Sequence, residues 1–447
     1  MRRTLIAFTA ASLMLECTLV AVGVAGSFTP RWIAGVLCVA LCAGMAHVTG
    51  MVRRNSDFAL PEAVRWEAAC VLAAVLLGCA CAVRIQMHCP DGAWDAWAIW
   101  NVRARHLFLC QGNWIGVLAA EPAASHPDYP PLLPLVIAGA WRLSGQAQDA
   151  VPFCIGLLAY AGACLSVYGC LMRLWWLDAK IAAGMALVFA ITPELVRSSA
   201  SQYAEVPLAF HAVAAFLLLG IGLTERSRVH CALGGLVLAM TAATKNEGMV
   251  IAAVVLAATM VSAGMLHAEG RRVSLGSLAS VALGAAPLLA LLVAFKILVA
   301  PGSDLTQNRT VADLLSRVLD LHRHAQIAKA MLLQPAVTAN WGWTGCGLGV
   351  LFAYGIAVRR RVLCPPAALV AAGMALVYYV VYLLTPHDLK WHIHTTIDRL
   401  PLHTYAFWTI WAAWQLKPPE CRGTETPSQD ELACTTSLGD SPHASGY

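Results

Sequence analysis

The chain has 447 residues, of which 59% are hydrophobic and only 12% charged, with 30 Lys and Arg against 25 Asp and Glu. A charged fraction about half that of ordinary soluble domains excludes a water-soluble globular protein. The apolar runs lack the period-two alternation of a membrane barrel, so they point to an all-α, polytopic transmembrane protein. The excess positive charge is scattered over short loops and gives no sign of nucleic-acid binding. Sixteen cysteines without a Cys-x-x-Cys pair argue against a metal or redox framework.

About twelve spans are predicted from apolar stretches of roughly 17–25 residues. The first two, over 4–26 and 32–52, form an N-terminal unit, 1–66, with a basic inner loop; Glu16 and a lipophilic run reaching Val24 favour a retained first span over a cleaved leader. A third span over 67–86 opens a transmembrane domain extending to 416, and it leads into a long polar loop over 87–149. In DGAWDAWAIW, Asp91 and Asp95 accompany Trp94 and Trp97 at the membrane surface, where an aromatic belt accounts for the indoles but does not require a carboxylate between them. Helix would put the two acids on one face, and a loop would separate them. The later segment His126-Pro127-Asp128-Tyr129-Pro130-Pro131 reads as an extended turn that either breaks the chain or holds His126 and Asp128 near Asp95.

The next stretch, 131–145, reaches only about 22 Å as helix against a hydrocarbon core of about 30 Å, and it is read as juxtamembrane. With that choice Arg2-Arg3, Arg53-Arg54, Arg173 with Lys180, Arg226 with Arg228, Arg271-Arg272 and Arg359-Arg360-Arg361 all fall on the inner face. Further spans are expected over 150–172, 181–198, 204–223, 230–245, 249–268, 274–299, 337–357, 364–385 and 400–416. The tail 417–447, rich in Ser, Thr, Pro and acids, reads as disordered.

The outer turns between these spans carry the remaining unusual residues. Glu205 opens a span, where an acid complements the helix dipole whether or not it has a further task. Lys245 and Glu247 in TKNEG either pair with each other or leave the lysine to an anionic head group. In the turn over 386–399, Lys390, His392, His394 and Arg399 are crowded together. On an extended strand His392 and His394 would share a face, which keeps a divalent metal in view although no third ligand is evident. Arg399, just before an apolar span, suits either a bidentate phosphate clamp or interfacial snorkelling.

An acid-bearing first outer loop, a proline-broken re-entry, an acid opening a later span and a late interfacial arginine together resemble the integral-membrane glycosyltransferases of the GT-C fold. That superfamily includes the protein O-mannosyltransferases and the lipid A aminoarabinose transferase. The resemblance runs from about residue 67 to 300 in the order of spans and more loosely to 416; it is specific in arrangement and weak in motif. It matches Asp95 to the first-loop acid, HPDYPP to a His-Pro-Pro-type segment and Glu205 to the acid of a later outer turn. It implies an enzyme of the bacterial inner membrane, working among membrane lipids on the periplasmic face. Such an enzyme moves a sugar from a polyprenyl-phosphate donor to a glycan, lipid or protein acceptor, with inversion. Asp95, with Asp91 and Asp128 as alternatives, would be the general base. Trp94, Trp97, His126, Tyr129, Glu205, Lys245, Glu247, Lys390, His392, His394 and Arg399 would line the substrates. The chain departs from the pattern in lacking an Asp-Glu pair in the first loop, in its two preceding spans and in having no large soluble domain. The rival expectation is a multi-pass transporter or lipid flippase, whose polar residues sit at mid-membrane on broken helices, often within inverted repeats.

Overall fold

The computed structural model describes residues 12, 15, 16, 18–20 and 22, and then 62–417 except 111, 120–124, 175–176, 269–272, 303–309 and 359–365. The expected span over 32–52, most of that over 4–26 and the tail after Lys417 lie outside the described residues. Packing divides the chain after Leu416, and every helix named below belongs to the first unit.

Among the described residues all regular structure is helical. In chain order the helices are α1 (Glu62–Gln86), α2 (Asn101–Leu109), α3 (Trp114–Ala119), α4 (Leu132–Ser144), α5 (Ala150–Arg173), α6 (Ala179–Ala190), α7 (Pro193–Ala200) and α8 (Glu205–Thr224). They continue with α9 (Arg228–Thr244), α10 (Asn246–Ala268), α11 (Leu275–Leu298), α12 (Val311–Leu319), α13 (Leu321–Leu333), α14 (Thr338–Trp341), α15 (Thr344–Ala357), α16 (Pro366–Leu384), α17 (Leu389–Thr396) and α18 (Leu402–Trp414).

Six of these, α1, α5, α8, α10, α11 and α16, are long and apolar enough to cross a membrane. A seventh crossing results if α6 and α7, bent by 53° at their junction, count as one span. Pro193 at the start of α7 cannot continue the ladder of α6, and the Tyr160 hydroxyl donates to the freed carbonyl of Ala190 at 2.8 Å. The expected spans over 230–245, 337–357 and 400–416 fall on shorter helices of 17, 14 and 13 residues, so the apolar runs there do not each become a helix of full membrane length. The segment 131–145 forms α4, 13 residues or about 20 Å long. Most of its apolar residues, Leu132 to Gly139 and Trp141, are buried against the protein, and Gly145 in the left-handed conformation (φ 79°) ends it.

Helix α8 is apolar on every side and almost wholly enclosed by α5, α9, α10 and α18. Helices α1 and α11 lie at the periphery and expose Leu76, Leu77, Leu283 and Ile297. Helices α9 and α11 touch backbone to backbone through small residues: a Cβ on Gly235 would stand 2.0 Å from the Val281 carbonyl, and one on Gly284 1.9 Å from that of Ala232. At the far end of α16, Arg323 from α13 donates to the carbonyls of Leu383 and Tyr382 at 2.8 and 2.9 Å, capping a helix end that would otherwise be unpaired.

The helix directions bring Asp95, Glu205, Lys245 and Arg399 to one end of the bundle, whereas Arg173 and Glu225 pair at the other. This can be checked by labelling. In a protein cleared of native cysteines, Trp94→Cys and Lys390→Cys should react with a membrane-impermeant maleimide from the same side, and Lys180→Cys and Arg226→Cys only from the opposite side. Reaction of Trp94→Cys and Lys390→Cys from different sides would contradict the arrangement.

Candidate active site

The first loop is laid onto the turn that precedes α8. Gly92 has φ 77°, and a Cβ there would come within 2.7 Å of the Ser201 carbonyl. Ala93 N–H donates to that same carbonyl at 3.1 Å. Asn101 donates to Gln202 at 2.7 Å, and Gln202 donates to the Pro90 carbonyl at 2.9 Å. Between these ties, Ala96–Trp100 forms one π-helical turn with Ala96, Ile99 and Trp100 buried. Such widened turns frequently accompany functional sites, and this one sets Asp95 beside the start of α8.

Asp95 accepts from Arg399 Nη1 at 2.6 Å. The rest of the Arg399 fork turns back onto its own chain, Nε and Nη2 donating to the Thr395 carbonyl at 3.3 and 3.1 Å. Arg399 Nη1 is also 3.9 Å from Glu205 Oε1, which meets Lys245 Nζ at 3.2 Å, and Lys245 Nζ lies 3.4 Å from Glu247 Oε1. Three carboxylates and two cations thus alternate in a continuous chain. The inner members are removed from water, with side-chain exposures of 2% for Glu205 and 8% for Lys245. Burial works against the charge on Lys245, but Glu205 and Glu247 more than offset it and hold the amine protonated well above its ordinary range. Arg399 likewise loses by burial and gains more from Glu205 and Asp95. Aromatic faces complete the lining: Arg399 lies 5.0 Å over Tyr203, and Lys245 5.7 Å over Tyr129. Burial, reinforced by Asp95, pushes the Tyr203 phenol up to about 12.

The cluster is not self-satisfied. Glu205 Oε2, Glu247 Oε2 and His403 Nε2 are buried and make no hydrogen bond among the described residues. His403 is fully buried; its Nδ1 bonds the Tyr378 hydroxyl at 2.9 Å, and it is within electrostatic reach of Lys245, Glu205 and Glu247. Two carboxylate oxygens and a ring nitrogen are therefore left to a polar ligand.

The HPDYPP segment forms the wall behind Lys245. His126 adopts a left-handed backbone (φ 49°), and its ring stacks on Tyr129 at 4.7 Å, which in turn stacks on Trp100 at 5.7 Å. Arg103 donates to the Tyr129 carbonyl at 2.9 Å. Asp128 accepts from Asn246 Nδ2 at 2.5 Å, while Lys296 donates to the Asp128 carbonyl at 2.6 Å and to Asn246 Oδ1 at 2.7 Å. Asp128 thus joins the loop to α10 and α11; its carboxylate is engaged in that junction.

Several expected site residues stand elsewhere. Asp91 is exposed in a turn and, with Gly92 breaking the run, shares no helical face with Asp95. Trp94 and Trp97 pack edge to face at 4.4 Å and remain 64% and 49% exposed, as interfacial indoles do. The extended strand that would have aligned His392 and His394 is replaced by helix α17, which turns residues two apart to different sides. His392 bonds the Thr385 hydroxyl at 2.8 Å, and His394 is exposed. Among the described residues no three His, Cys, Asp or Glu side chains converge as a metal site would require. Lys390 and His394 line a separate cleft. Residues the sequence reading passed over include His403, Tyr203, Asn246 and Lys296. Lys296 and His403 each had a signal, a lone ionisable group in an otherwise apolar run.

Fold and site together define an all-helical chain with several membrane-length helices and a buried ionic cluster at one end of them. No family model, curated protein or solved structure matches the chain.

Lys245 is the cation shared by the buried Glu205 and the partly buried Glu247, so removing it leaves uncompensated charge. Lys245→Met should cost about 3–5 kcal/mol in chemical unfolding of the detergent-purified protein, and adding Glu205→Gln should return part of that loss. An additive double variant would show that the two groups do not interact.

Proposed function

We propose that the protein is a membrane glycosyltransferase of GT-C-like arrangement that takes a sugar from a polyprenyl-phosphate donor and transfers it, with inversion, to an acceptor hydroxyl at the charged end of the bundle. The observation that carries this reading is the junction of the ionic cluster with an apolar cavity. That cavity, of about 360 Å³, is walled by Trp341, Leu348, Phe352, Tyr378, Tyr382 and Trp408. Tyr378 bonds His403 of the cluster, and Leu400 and Pro401 of the cavity wall directly follow Arg399. A substrate with a long apolar chain and a polar reacting end suits that combination.

In the proposed reaction the acceptor oxygen attacks the anomeric carbon, the bond from that carbon to the phosphate oxygen breaks, and the lipid phosphate leaves with the electron pair. Asp95 takes the hydroxyl proton, and the Arg399 contact fixes the direction of its carboxylate. Glu205, Glu247 and His403 offer their unpaired atoms to sugar hydroxyls. Cations at the same end offset charge on the departing phosphate.

One feature favours transport as a second reading: the broken helix pair α6–α7, together with a buried His211 that bonds Glu16 at 2.6 Å and Thr244 at 3.0 Å inside the bundle. The readings separate in one experiment. Protein reconstituted in vesicles with a panel of radiolabelled polyprenyl-phosphate sugars and membrane extract should yield a covalently labelled product. Movement of labelled lipid between leaflets without any product would replace the transferase reading with the transport one.

Within the transferase reading, Asp95→Asn should lower turnover by about 100-fold or more with normal membrane insertion. Asp91→Asn should stay near wild type because its side chain is outside the cluster. If Asp91→Asn is the inactive variant, the base is not Asp95.

A further inference from the structure

Helices α13 and α17 and the short turn Gln334–Ala336 border a second cleft of about 550 Å³. Lys329 from α13 and Lys390 and His394 from α17 line it, against the single acid Asp398. Both lysines are exposed, and neither makes an ion pair or hydrogen bond among the described residues. Gln334 is a different kind of residue. It is only 8% exposed, its Nε2 makes no hydrogen bond among the described residues, and it lines both this cleft and the apolar cavity beside the ionic cluster. Ile397 also lines both. Cationic cleft and aromatic cavity therefore adjoin at Gln334 and Ile397, with an unused amide donor where they meet.

The Arg399 fork is turned onto Asp95 and the Thr395 carbonyl and does not stand ready as a clamp. We propose that the cleft and the cavity form a single site for an isoprenoid phosphate: Lys329, Lys390 and His394 hold the phosphate, Gln334 Nε2 donates at its edge, and the chain runs over Leu348 and Trp408. Asp398, on the cleft wall, immediately precedes the arginine that holds Asp95. The inference rests on the transferase reading for its choice of ligand, but it concerns binding and is tested by binding.

The test titrates the detergent-purified full-length protein with farnesyl phosphate, farnesol and inorganic phosphate, followed by calorimetry. Farnesyl phosphate should bind more tightly than either part alone. Lys329→Gln with Lys390→Gln, both at exposed positions, should weaken farnesyl phosphate about tenfold or more and leave farnesol unchanged. Leu348→Trp, which fills the cavity, should weaken both prenyl ligands. Unchanged farnesyl phosphate affinity in the double lysine variant overturns the site, even if sugar transfer is observed. Lysine-dependent binding in a protein that transfers no sugar upholds the site and removes the transferase reading instead.

Discussion

The charged end of this molecule depends on one buried ammonium. Lys245 sits between the buried Glu205 and the partly buried Glu247 and offsets the charge of both. Because Glu205 opens α8 and Lys245 closes α9, their contact fixes the height of one helix against the next at the end where the loops meet. Arg399 extends the arrangement by reaching Glu205 from one side and Asp95 from the other, so the first loop is fastened to the last helices through alternating charge. Neutralisation in pairs lets five ionised groups gather where water is scarce. It also leaves three carboxylates for two cations, and two carboxylate oxygens without a donor.

Around this core the polar residues divide into those that fasten and those that remain open. Asp128, Asn246 and Lys296 bond one another and a backbone carbonyl, and Arg103 adds a bond to the Tyr129 carbonyl, which makes the proline-rich segment a rigid wall. Glu205, Glu247 and His403 retain unused atoms on the inside of that wall. Rigid surroundings with a few unused polar atoms are what orientation of a bound molecule requires. The separation of roles also explains why two acids of the same loop, Asp95 and Asp128, stand in such different company: a guanidinium for one, an amide for the other.

Much of the helical layout was legible in the sequence, because long apolar runs register directly as membrane-length helices and because 131–145 was too short to be one. The shorter helices were harder to size. An apolar run counts the same whether it faces lipid or protein, and hydropathy cannot tell that α9 and α18 would end after 17 and 13 residues. Of the site, Asp95, Glu205, Lys245, Glu247 and Arg399 were each conspicuous as charges beside apolar runs, but their order in a single chain of contacts depends on a π-helical turn and a glycine at φ 77° that no composition signal announces. The alignment of His392 and His394 depended on an extended backbone, and a local signal decides against it: Asp388 accepts from the Trp391 N–H at 2.8 Å and starts a helix there. Lys296 and His403 went unnoticed because each is a single polar residue inside a run whose average is strongly apolar.

The close packing of α9 and α11 has a consequence for how the site responds to its surroundings. Helix α11 has 24 residues, about 36 Å, which exceeds a hydrocarbon core of about 30 Å, and it presents much of its surface outward, so a bilayer of given thickness sets its tilt. Backbone contact at Gly235 and Gly284 leaves α9 little freedom to stay behind when α11 leans. Lys245 is carried at the end of the first helix and Lys296 near the end of the second. Bilayer thickness thereby becomes a mechanical input to the spacing of the charges, and membranes of different acyl length would load the same side chains differently without touching any of them.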